Sequence, residues 1–265
     1  MNYLLLNGSP HKGNTWMVVE QIKKEIASLS QECCFEEIHL IDFNLPFCTG
    51  CSNCFRKGHE YCPHHKIVQT ILDKITWADG IIFATTTFNM LPTALMKNLI
   101  DHLCFMLHRP FFFTKKALVV STTAGIGATE TVKNLAGTLR GIGFNQCYEF
   151  PLTTHSWNAF VLNEKNKSKC AAMARKFHSD VSSGKIHSPT WLILIPYNLF
   201  RGMSLHYAKG SEYEYQDGIH WSDPARIKSV YDPAVPVPFY KKLFGELFYL
   251  IGKASPYFFT LTYRK

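Results

Sequence analysis

The stretch YLLLNGSPHKGNT, residues 3–15, joins an apolar run directly to a cluster of turn-forming residues. The run at residues 3–7 has the length and composition of a buried strand, and the following GSPHKGNT predicts a turn. From residue 15 to residue 29, Met17, Val18, Ile22 and Ile26 recur at the spacing of one helical face. The chain therefore begins with a predicted strand, a tight loop and a helix.

The alternation of strand and helix continues through residue 184. Further strand-like runs occupy residues 35–41, 79–86, 116–123 and 145–152, and helical patterns occupy residues 94–108, 130–142 and 165–183. Apolar strands separated by helices indicate a parallel sheet that is covered on both faces. We therefore predict an α/β fold with a doubly wound, five-stranded parallel sheet, whose ligands bind at the carboxyl ends of the strands.

The character of the sequence changes at Lys185, where prolines recur, aromatic residues become dense and the alternation stops. A length of 265 residues fits one large domain, or one domain with an appendage. We predict an α/β domain at residues 1–184 and a C-terminal helical and irregular appendage at residues 185–265, which packs on the domain or on a neighbouring subunit. Residues 239–259 are amphipathic, and we expect them to cover an apolar face or complete a dimer rather than contact a membrane.

Composition and charge exclude several classes of protein. The net charge is +8, but the basic residues are scattered and form no nucleic-acid-binding motif. No uncharged apolar stretch reaches the roughly 20 residues that a membrane-spanning helix needs. The first residues resemble no secretion signal, and the nine cysteines include a dense cluster. We therefore expect a cytoplasmic protein whose clustered cysteines serve metal or redox chemistry.

The loop NGSPHKGNT, residues 7–15, has the composition of an anion site. Its small and hydroxyl residues let backbone N–H groups surround an anion at the start of a helix, where the helix dipole favours negative charge. The loop matches neither the usual dinucleotide fingerprint nor the nucleoside-triphosphate fingerprint. An ordinary turn with Asn14 or Thr15 as the helix N-cap is the alternative interpretation.

The segment CTGCSNCFRKGHEYC, residues 48–62, contains four of the nine cysteines. Three follow a C-x2-C-x2-C spacing, and the fourth comes after seven further residues and directly before Pro63. Thiolates at this spacing can converge on an iron–sulfur cluster, whereas structural zinc usually takes two separated pairs. Bare thiols, zinc and a disulfide remain open as alternatives. The five remaining cysteines are expected to be buried and inert: Cys33, Cys34, Cys104, Cys147 and Cys170.

Three separated segments resemble one protein family. LLLNGSPHKGNT (residues 4–15), ATTTFNMLPTALMKNLIDHL (residues 84–103) and STTAGIGATET (residues 121–131) are similar, in order and spacing, to the loops of the flavodoxin-like NAD(P)H-dependent FMN reductases. The resemblance covers about residues 1–180 and implies a flavodoxin-like fold with FMN as cofactor.

The resemblance also implies which residues contact FMN. Those expected around the phosphate are Ser9, His11, Lys12, Asn14, Thr15 and Trp16. Those expected along one edge of the isoalloxazine ring are Thr86, Thr87, Phe88, Asn89, Met90 and Leu91, and those along the other are Thr122, Thr123, Ala124, Gly125, Ile126 and Gly127. The chain departs from the family at His11, where arginine is common, at Trp16, where a small hydroxyl residue is common, and at Thr86 and Thr87, where proline often occurs.

The cysteine segment lies where the iron–sulfur flavoprotein branch of this family carries a cysteine-bearing insert. That resemblance implies a 4Fe-4S cluster held by Cys48, Cys51, Cys54 and Cys62. The chain has PHHK at residues 63–66, where the branch often has paired acidic residues. We assign no metal-binding role to the histidines.

The resemblance implies an FMN-dependent oxidoreductase that takes electrons from NAD(P)H. Their acceptor would be a quinone, a nitro compound or free flavin, or, through the cluster, a ferredoxin-like partner. A homodimer or homotetramer is also expected. The protein needs no catalytic residue because the cofactor carries the chemistry, and Lys97 and Asp101 are expected to form an exposed ion pair. The alternative hypothesis is a non-enzymatic flavodoxin-like electron carrier or a thiol or cluster redox sensor.

Overall fold

The computed structural model describes residues 1–157, 159–211 and 214–259. Its sheet has five parallel strands in the order β2-β1-β3-β4-β5. The strands are β1 (Asn2–Asn7), β2 (Cys34–His39), β3 (Gly80–Thr86), β4 (Lys116–Thr123) and β5 (Gln146–Thr153). This order confirms the predicted flavodoxin-like, doubly wound α/β fold.

The helices alternate with the strands and then continue into the C-terminal region. Those of the α/β part are α1 (Asn14–Leu29), α2 (Asn53–Arg56), α3 (His65–Trp77), α4 (Ala94–His102), α5 (Ala128–Gly141) and α6 (Glu164–Ser183). Those that follow are α7 (Trp191–Met203), α8 (Gln216–Trp221), α9 (Pro224–Ile227) and α10 (Phe239–Ala254). No helix in the described ranges is both long enough and apolar enough to cross a membrane.

Two hydrophobic cores cover the two faces of the sheet. Successive side chains of a strand point to opposite faces, so Leu4 and Leu6 of β1 pack in the core beneath α3, α4 and α5, whereas Leu5 packs beneath α1 and α6. All three leucines are fully buried. The apolar side chains of β1 thus pack against both layers of helices, as its uninterrupted apolar run predicted.

The structure corrects some local expectations. Val18, Ile22 and Ile26 of α1 are buried as predicted, but Met17 is 42% exposed. The sequence analysis missed α3, and the pattern predicted at residues 94–108 is divided between α4 and a 3-10 turn at Cys104–Leu107. Lys97 and Asp101 form the expected exposed ion pair.

The C-terminal helices α7 and α10 pack against each other through glycines. A Cβ atom on Gly202 would lie 2.2 Å from the carbonyl oxygen of Tyr249, and one on Gly252 would lie 2.3 Å from that of Leu199. The outer side of α10 is exposed and apolar: it carries Phe239, Tyr240, Leu243, Leu247, Leu250 and Ile251. The described part of the domain does not cover this side of α10, and its contact with a neighbouring subunit stays a prediction.

A buried carboxylate joins the C-terminal region to the α/β part. Asp217 of α8 is 2% exposed, accepts a hydrogen bond from His108 Nδ1 at 2.7 Å and forms an ion pair with Arg109. The indole N–H of Trp221 donates to the carbonyl oxygen of His108 at 3.0 Å. Arg109 also donates to the carbonyl oxygen of Cys54 at 2.6 Å. One arginine therefore contacts both the C-terminal region and the cysteine segment.

We predict that Asp217→Asn lowers the free energy of unfolding by about 3–5 kcal/mol, because removing one partner of a buried ion pair leaves the other charge uncompensated. Urea denaturation measures the change. Asp101→Asn is the matched control: its ion pair with Lys97 is exposed, and the loss should be about 0.5 kcal/mol or less. Equal losses in the two variants would contradict the structural role of Asp217.

Candidate functional site

A cavity of about 1050 Å³ lies at the carboxyl edge of the sheet. The loops after β1, β3, β4 and β5 form its walls. Its lining residues are His11, Gly13, Asn14, Thr86, Thr87, Phe88, Asn89, Met90, Thr122, Thr123, Ala124, Gly125, Ile126, Thr154, Ser156 and Trp157. The cavity is thus where a doubly wound fold binds its ligands.

The start of α1 borders this cavity without a side-chain cap. Gly13 is the N-cap residue, and its carbonyl oxygen accepts the hydrogen bond of Met17 N–H at 3.1 Å. Neither Asn14 nor Thr15 is the N-cap, so the alternative interpretation of the loop was wrong in this respect. Asn14 instead donates its side-chain N–H to the carbonyl oxygen of Trp157 at 3.3 Å. The first amides of a 16-residue helix remain available to an anion.

Four hydroxyl groups form a connected network below the loops. Thr15 Oγ1 lies 2.7 Å from Thr122 Oγ1 and 3.1 Å from Thr86 Oγ1, which in turn lies 3.0 Å from Ser9 Oγ. Ser9, Thr15 and Thr122 are each 2% exposed. The network joins the ends of β1, β3 and β4 to the first turn of α1, so it fixes the floor of the cavity.

The loop after β3 forms a two-residue turn. Phe88 and Leu91 exchange backbone hydrogen bonds of 3.0 and 2.9 Å, and Asn89 and Met90 between them have positive φ angles of 50° and 64°. Two successive positive φ angles are typical of a type I′ turn. The side chains of Phe88, Met90 and Leu91 are about half exposed. They therefore form an apolar rim and are not core residues.

The turn packs against the loop after β4. Gly127 is the N-cap of α5 and has φ +97°. A Cβ atom on it would lie 3.0 Å from Met90 Cγ and 3.2 Å from Met90 Cα. Thr87 N–H donates to the carbonyl oxygen of Thr122 at 3.0 Å. The two loops thus form one continuous wall whose close approach requires glycine at position 127.

The predicted flavin residues divide into four groups. His11, Asn14, residues 86–90 and residues 122–126 line the cavity, and Ser9 and Thr15 lie below it in the hydroxyl network. Leu91 belongs to the apolar rim, and Gly127 packs against Met90. The fourth group consists of Lys12 and Trp16.

Lys12 and Trp16, both expected at the phosphate, are engaged elsewhere. Lys12 pairs with Glu37 at 3.4 Å, and its ammonium lies 5.1 Å from the centroid of the Trp16 ring. Trp16 is 4% exposed and packs in the core against His39. The phosphate-binding roles of both residues stay predictions.

Four lining residues were not predicted from the sequence: Gly13, Thr154, Ser156 and Trp157. The last three follow β5, whose carboxyl end lies at the same edge of the sheet as those of β3 and β4. Ligands of doubly wound folds bind at this edge of the sheet. The polar loop after the fifth predicted strand could therefore have indicated these three lining residues.

A second, smaller pocket brings together the predicted metal ligands. Its lining residues include Cys48, Cys51, Cys54 and Cys62, and also His64, Asp101, His102 and Cys104. All nine cysteines are free thiols. Cys104 was expected to be inert but borders this pocket, and Cys34 was expected to be buried but is exposed. Cys147 and Cys170 are buried as expected, and burial raises the pKa of the Cys147 thiol to about 12.

The cysteine segment is held at two points. Asn98 of α4 accepts a hydrogen bond from Cys48 N–H at 3.2 Å and donates to the carbonyl oxygens of Leu45 and Pro46 at 2.9 and 3.1 Å. Arg109 holds the carbonyl oxygen of Cys54. Between these points, positive φ angles at Gly50 and Ser52 turn the chain, and Cys48, Cys51 and Cys54 all line the pocket.

Electrostatics keep two of these thiols protonated while no metal is bound. A hydrogen bond to Cys104 raises the pKa of Cys54 and lowers that of Cys104, and burial raises the pKa of Cys62. A metal must therefore displace thiol protons on binding. Four cysteine sulfurs around one pocket form the donor set that iron–sulfur clusters use, so these residues fit such a cluster.

Comparisons with known proteins agree with this architecture. The family model described as NADPH-dependent FMN reductase matches residues 1–153. An iron–sulfur flavoprotein of Clostridioides difficile (strain 630) is 29% identical over 174 residues, which cover 65% of this chain and 76% of that protein. An iron–sulfur flavoprotein of Archaeoglobus fulgidus is 39% identical over 101 residues, which cover 38% of this chain and 48% of that protein. The chain therefore matches only about half the length of this archaeal relative.

A solved structure shows the same fold. The NAD(P)H:quinone oxidoreductase from Methanothermobacter marburgensis aligns with a TM-score of 0.51 over 69% of this chain and 97% of that protein, at 14% identity.

We predict that Gly127→Ala destabilises the protein by about 1–2 kcal/mol, because a left-handed backbone conformation costs an L-residue that amount. The added methyl group also meets Met90. Gly137→Ala in the same helix is the matched control: nothing lies within 4 Å of its added Cβ, and it should stabilise by about 0.5–1 kcal/mol. Chemical denaturation measures both, and a stable Gly127→Ala variant would contradict the described loop geometry.

Proposed function

Since the chain belongs to the NADPH-dependent FMN reductase family, we propose that it is an FMN-dependent oxidoreductase that takes electrons from NAD(P)H. The observation that carries this proposal is the cavity at the carboxyl edge of the sheet, which lies beside an uncapped helix start. That cavity is formed mainly by the residues that the family model matches. Its size suits a cofactor together with part of a second ligand.

Backbone groups are the main candidates for holding the phosphate. The charge of Lys12 is paired with Glu37, which also binds Lys23 at 2.6 Å. The anion therefore depends chiefly on the free amides and the dipole of α1, which favour negative charge at the helix start. His11, Gly13 and Asn14 line this part of the cavity. This arrangement supports FMN binding in a chain that lacks the arginine common in the family.

The apolar rim suits a planar aromatic ring. Phe88, Met90 and Ile126, which is 78% exposed, all line the cavity on the wall that the two loops form. Covering these side chains with the faces or edges of an isoalloxazine removes apolar surface from water. A backbone hydrogen bond of 3.0 Å from Thr87 to Thr122 joins the two loops. The chain's contribution is thus a rigid apolar wall that orients the ring.

When bound, FMN would accept a hydride and release the two electrons singly or as a pair. Among the described lining residues, His11 is the only one with an ionisable side chain. The remaining polar groups are hydroxyls and amides, which bind and orient but do not serve as strong acids or bases. The residues therefore support a reaction in which the protein positions two ligands and excludes water, with the nicotinamide donor assigned from family membership.

We further propose that Cys48, Cys51, Cys54 and Cys62 hold a 4Fe-4S cluster. Their common pocket and the names of the two relatives support this assignment. The cluster would pass electrons singly to a ferredoxin-like partner, whereas without it the acceptor would be a quinone, a nitro compound or free flavin. A non-enzymatic carrier or redox sensor is the competing hypothesis.

Steady-state kinetics separate an enzyme from a carrier. We predict that FMN-loaded protein oxidises NADH or NADPH repeatedly when a quinone or ferricyanide is present, because both ligands can occupy one cavity. The decrease in nicotinamide absorbance measures turnover, and a sample without electron acceptor is the control. Oxidation that stops after one equivalent of nicotinamide, or that requires an added reductase, would support the carrier instead.

A comparison of two flavins tests the phosphate site. We predict that riboflavin, which lacks the phosphate, binds at least about 30-fold more weakly than FMN, because each hydrogen bond to a charged group contributes about 1.5–3 kcal/mol. Quenching of flavin fluorescence measures both affinities on the same protein. Equal affinities would mean that the start of α1 holds no phosphate.

A further inference from the structure

The cysteine pocket contains a second set of metal-ligating atoms that includes two histidines. One ligand atom from each of Cys62, His64 and His102 lies within 4.8 Å of the other two. Cys62 and His64 lie in the turn before α3, and His102 is the last residue of α4. Two distant parts of the chain thus place a thiol and two imidazoles around one point.

The hydrogen bonds of His102 determine its tautomer. Its Nδ1 lies 2.8 Å from the carbonyl oxygen of Asn98, which can only accept, so Nδ1 carries the proton. The bare Nε2 then faces His64 Nδ1 at 2.9 Å. His102 is 4% exposed. A buried histidine that donates one ring N–H to a backbone carbonyl and directs the other nitrogen inward has the arrangement typical of metal-bound histidines.

Cys62 is oriented toward the same point. Its sulfur accepts a hydrogen bond from the backbone N–H of His64, and such N–H contacts stabilise a metal-bound thiolate. These three ligand atoms leave the fourth position of a tetrahedral ion to water, as in zinc sites that have three protein ligands.

We propose that this pocket also binds one divalent cation of the zinc class through Cys62, His64 and His102, with water in the fourth position. One thiolate, two imidazoles and a water form a tetrahedral donor set that suits zinc. On binding, the Cys62 thiol loses its proton to solvent, and the His64 proton moves from Nδ1 to Nε2 so that Nδ1 can ligate. No oxidation or reduction occurs.

This set excludes the cluster because both need Cys62. The cluster additionally needs Cys48, Cys51 and Cys54, which the zinc set leaves free, whereas zinc needs the two histidines. Zinc has no redox chemistry, so a zinc-loaded chain would conduct no electrons through this pocket. That consequence rests on the proposed function, but the zinc site itself does not.

The test uses full-length, metal-free protein kept reduced and anaerobic. Zinc binding is measured by competition with a chromogenic chelator, and Co²⁺ substitution reports tetrahedral thiolate ligation. Cluster uptake is measured separately, by iron content and visible absorbance after reconstitution with Fe²⁺ and sulfide. Unfolding curves of every variant establish that it is folded.

Two variants should separate zinc binding from cluster uptake, because each should lose one and keep the other. We expect His64→Ala to weaken zinc binding by more than the 10–100-fold that is lost when a hydrogen-bond partner of a metal ligand is removed, and to keep cluster uptake. Cys48→Ser should lose the cluster and keep zinc. Cys62→Ser should lose both, and Cys34→Ser, at an exposed cysteine, should lose neither. His64→Cys should restore zinc binding that His64→Ala loses.

Zinc affinity that is unchanged in His64→Ala, or lost in Cys48→Ser, would overturn the zinc site and leave the proposed cluster untouched. Conversely, a wild-type chain that takes up no cluster but binds zinc through His64 would overturn the proposed cluster and support the zinc site.

Discussion

The geometry of the main cavity depends on the hydroxyl network that joins Ser9, Thr15, Thr86 and Thr122. Its distances of 2.7 to 3.1 Å connect the ends of three adjacent strands to the first turn of α1. Buried hydroxyls are costly unless they are hydrogen-bonded, so each group holds the others in place. The loops above this floor can therefore differ in sequence while the helix start keeps its direction toward the cavity.

Much of this arrangement follows from the sequence because it depends on local patterns. The apolar run before GSPHKGNT specifies β1, and β4 lies where its run of apolar residues predicted it, at Lys116–Thr123. Helix α3 was not predicted, although Val68, Ile71, Leu72 and Ile75 recur at helical spacing.

Other features depend on contacts between distant residues, and no spacing reveals them. Trp16 and Met17 are adjacent and both apolar, yet the first packs in the core and the second is exposed; only the position of β2 and its His39 decides between them. Similarly, 38 positions separate His64 from His102. Their pairing requires the end of α4 to meet the turn before α3, which the order of the strands determines and local sequence does not.

Arg109 makes the cysteine pocket and the C-terminal region interdependent. Its guanidinium holds the carbonyl oxygen of Cys54 while it pairs with the buried Asp217 of α8. Because a guanidinium has its donors in a fixed plane, moving α8 would displace the group that positions Cys54. A metal that binds only the folded pocket stabilises that same conformation. Metal binding and docking of the C-terminal helices therefore favour each other, although no residue of those helices lines the cysteine pocket among the residues described.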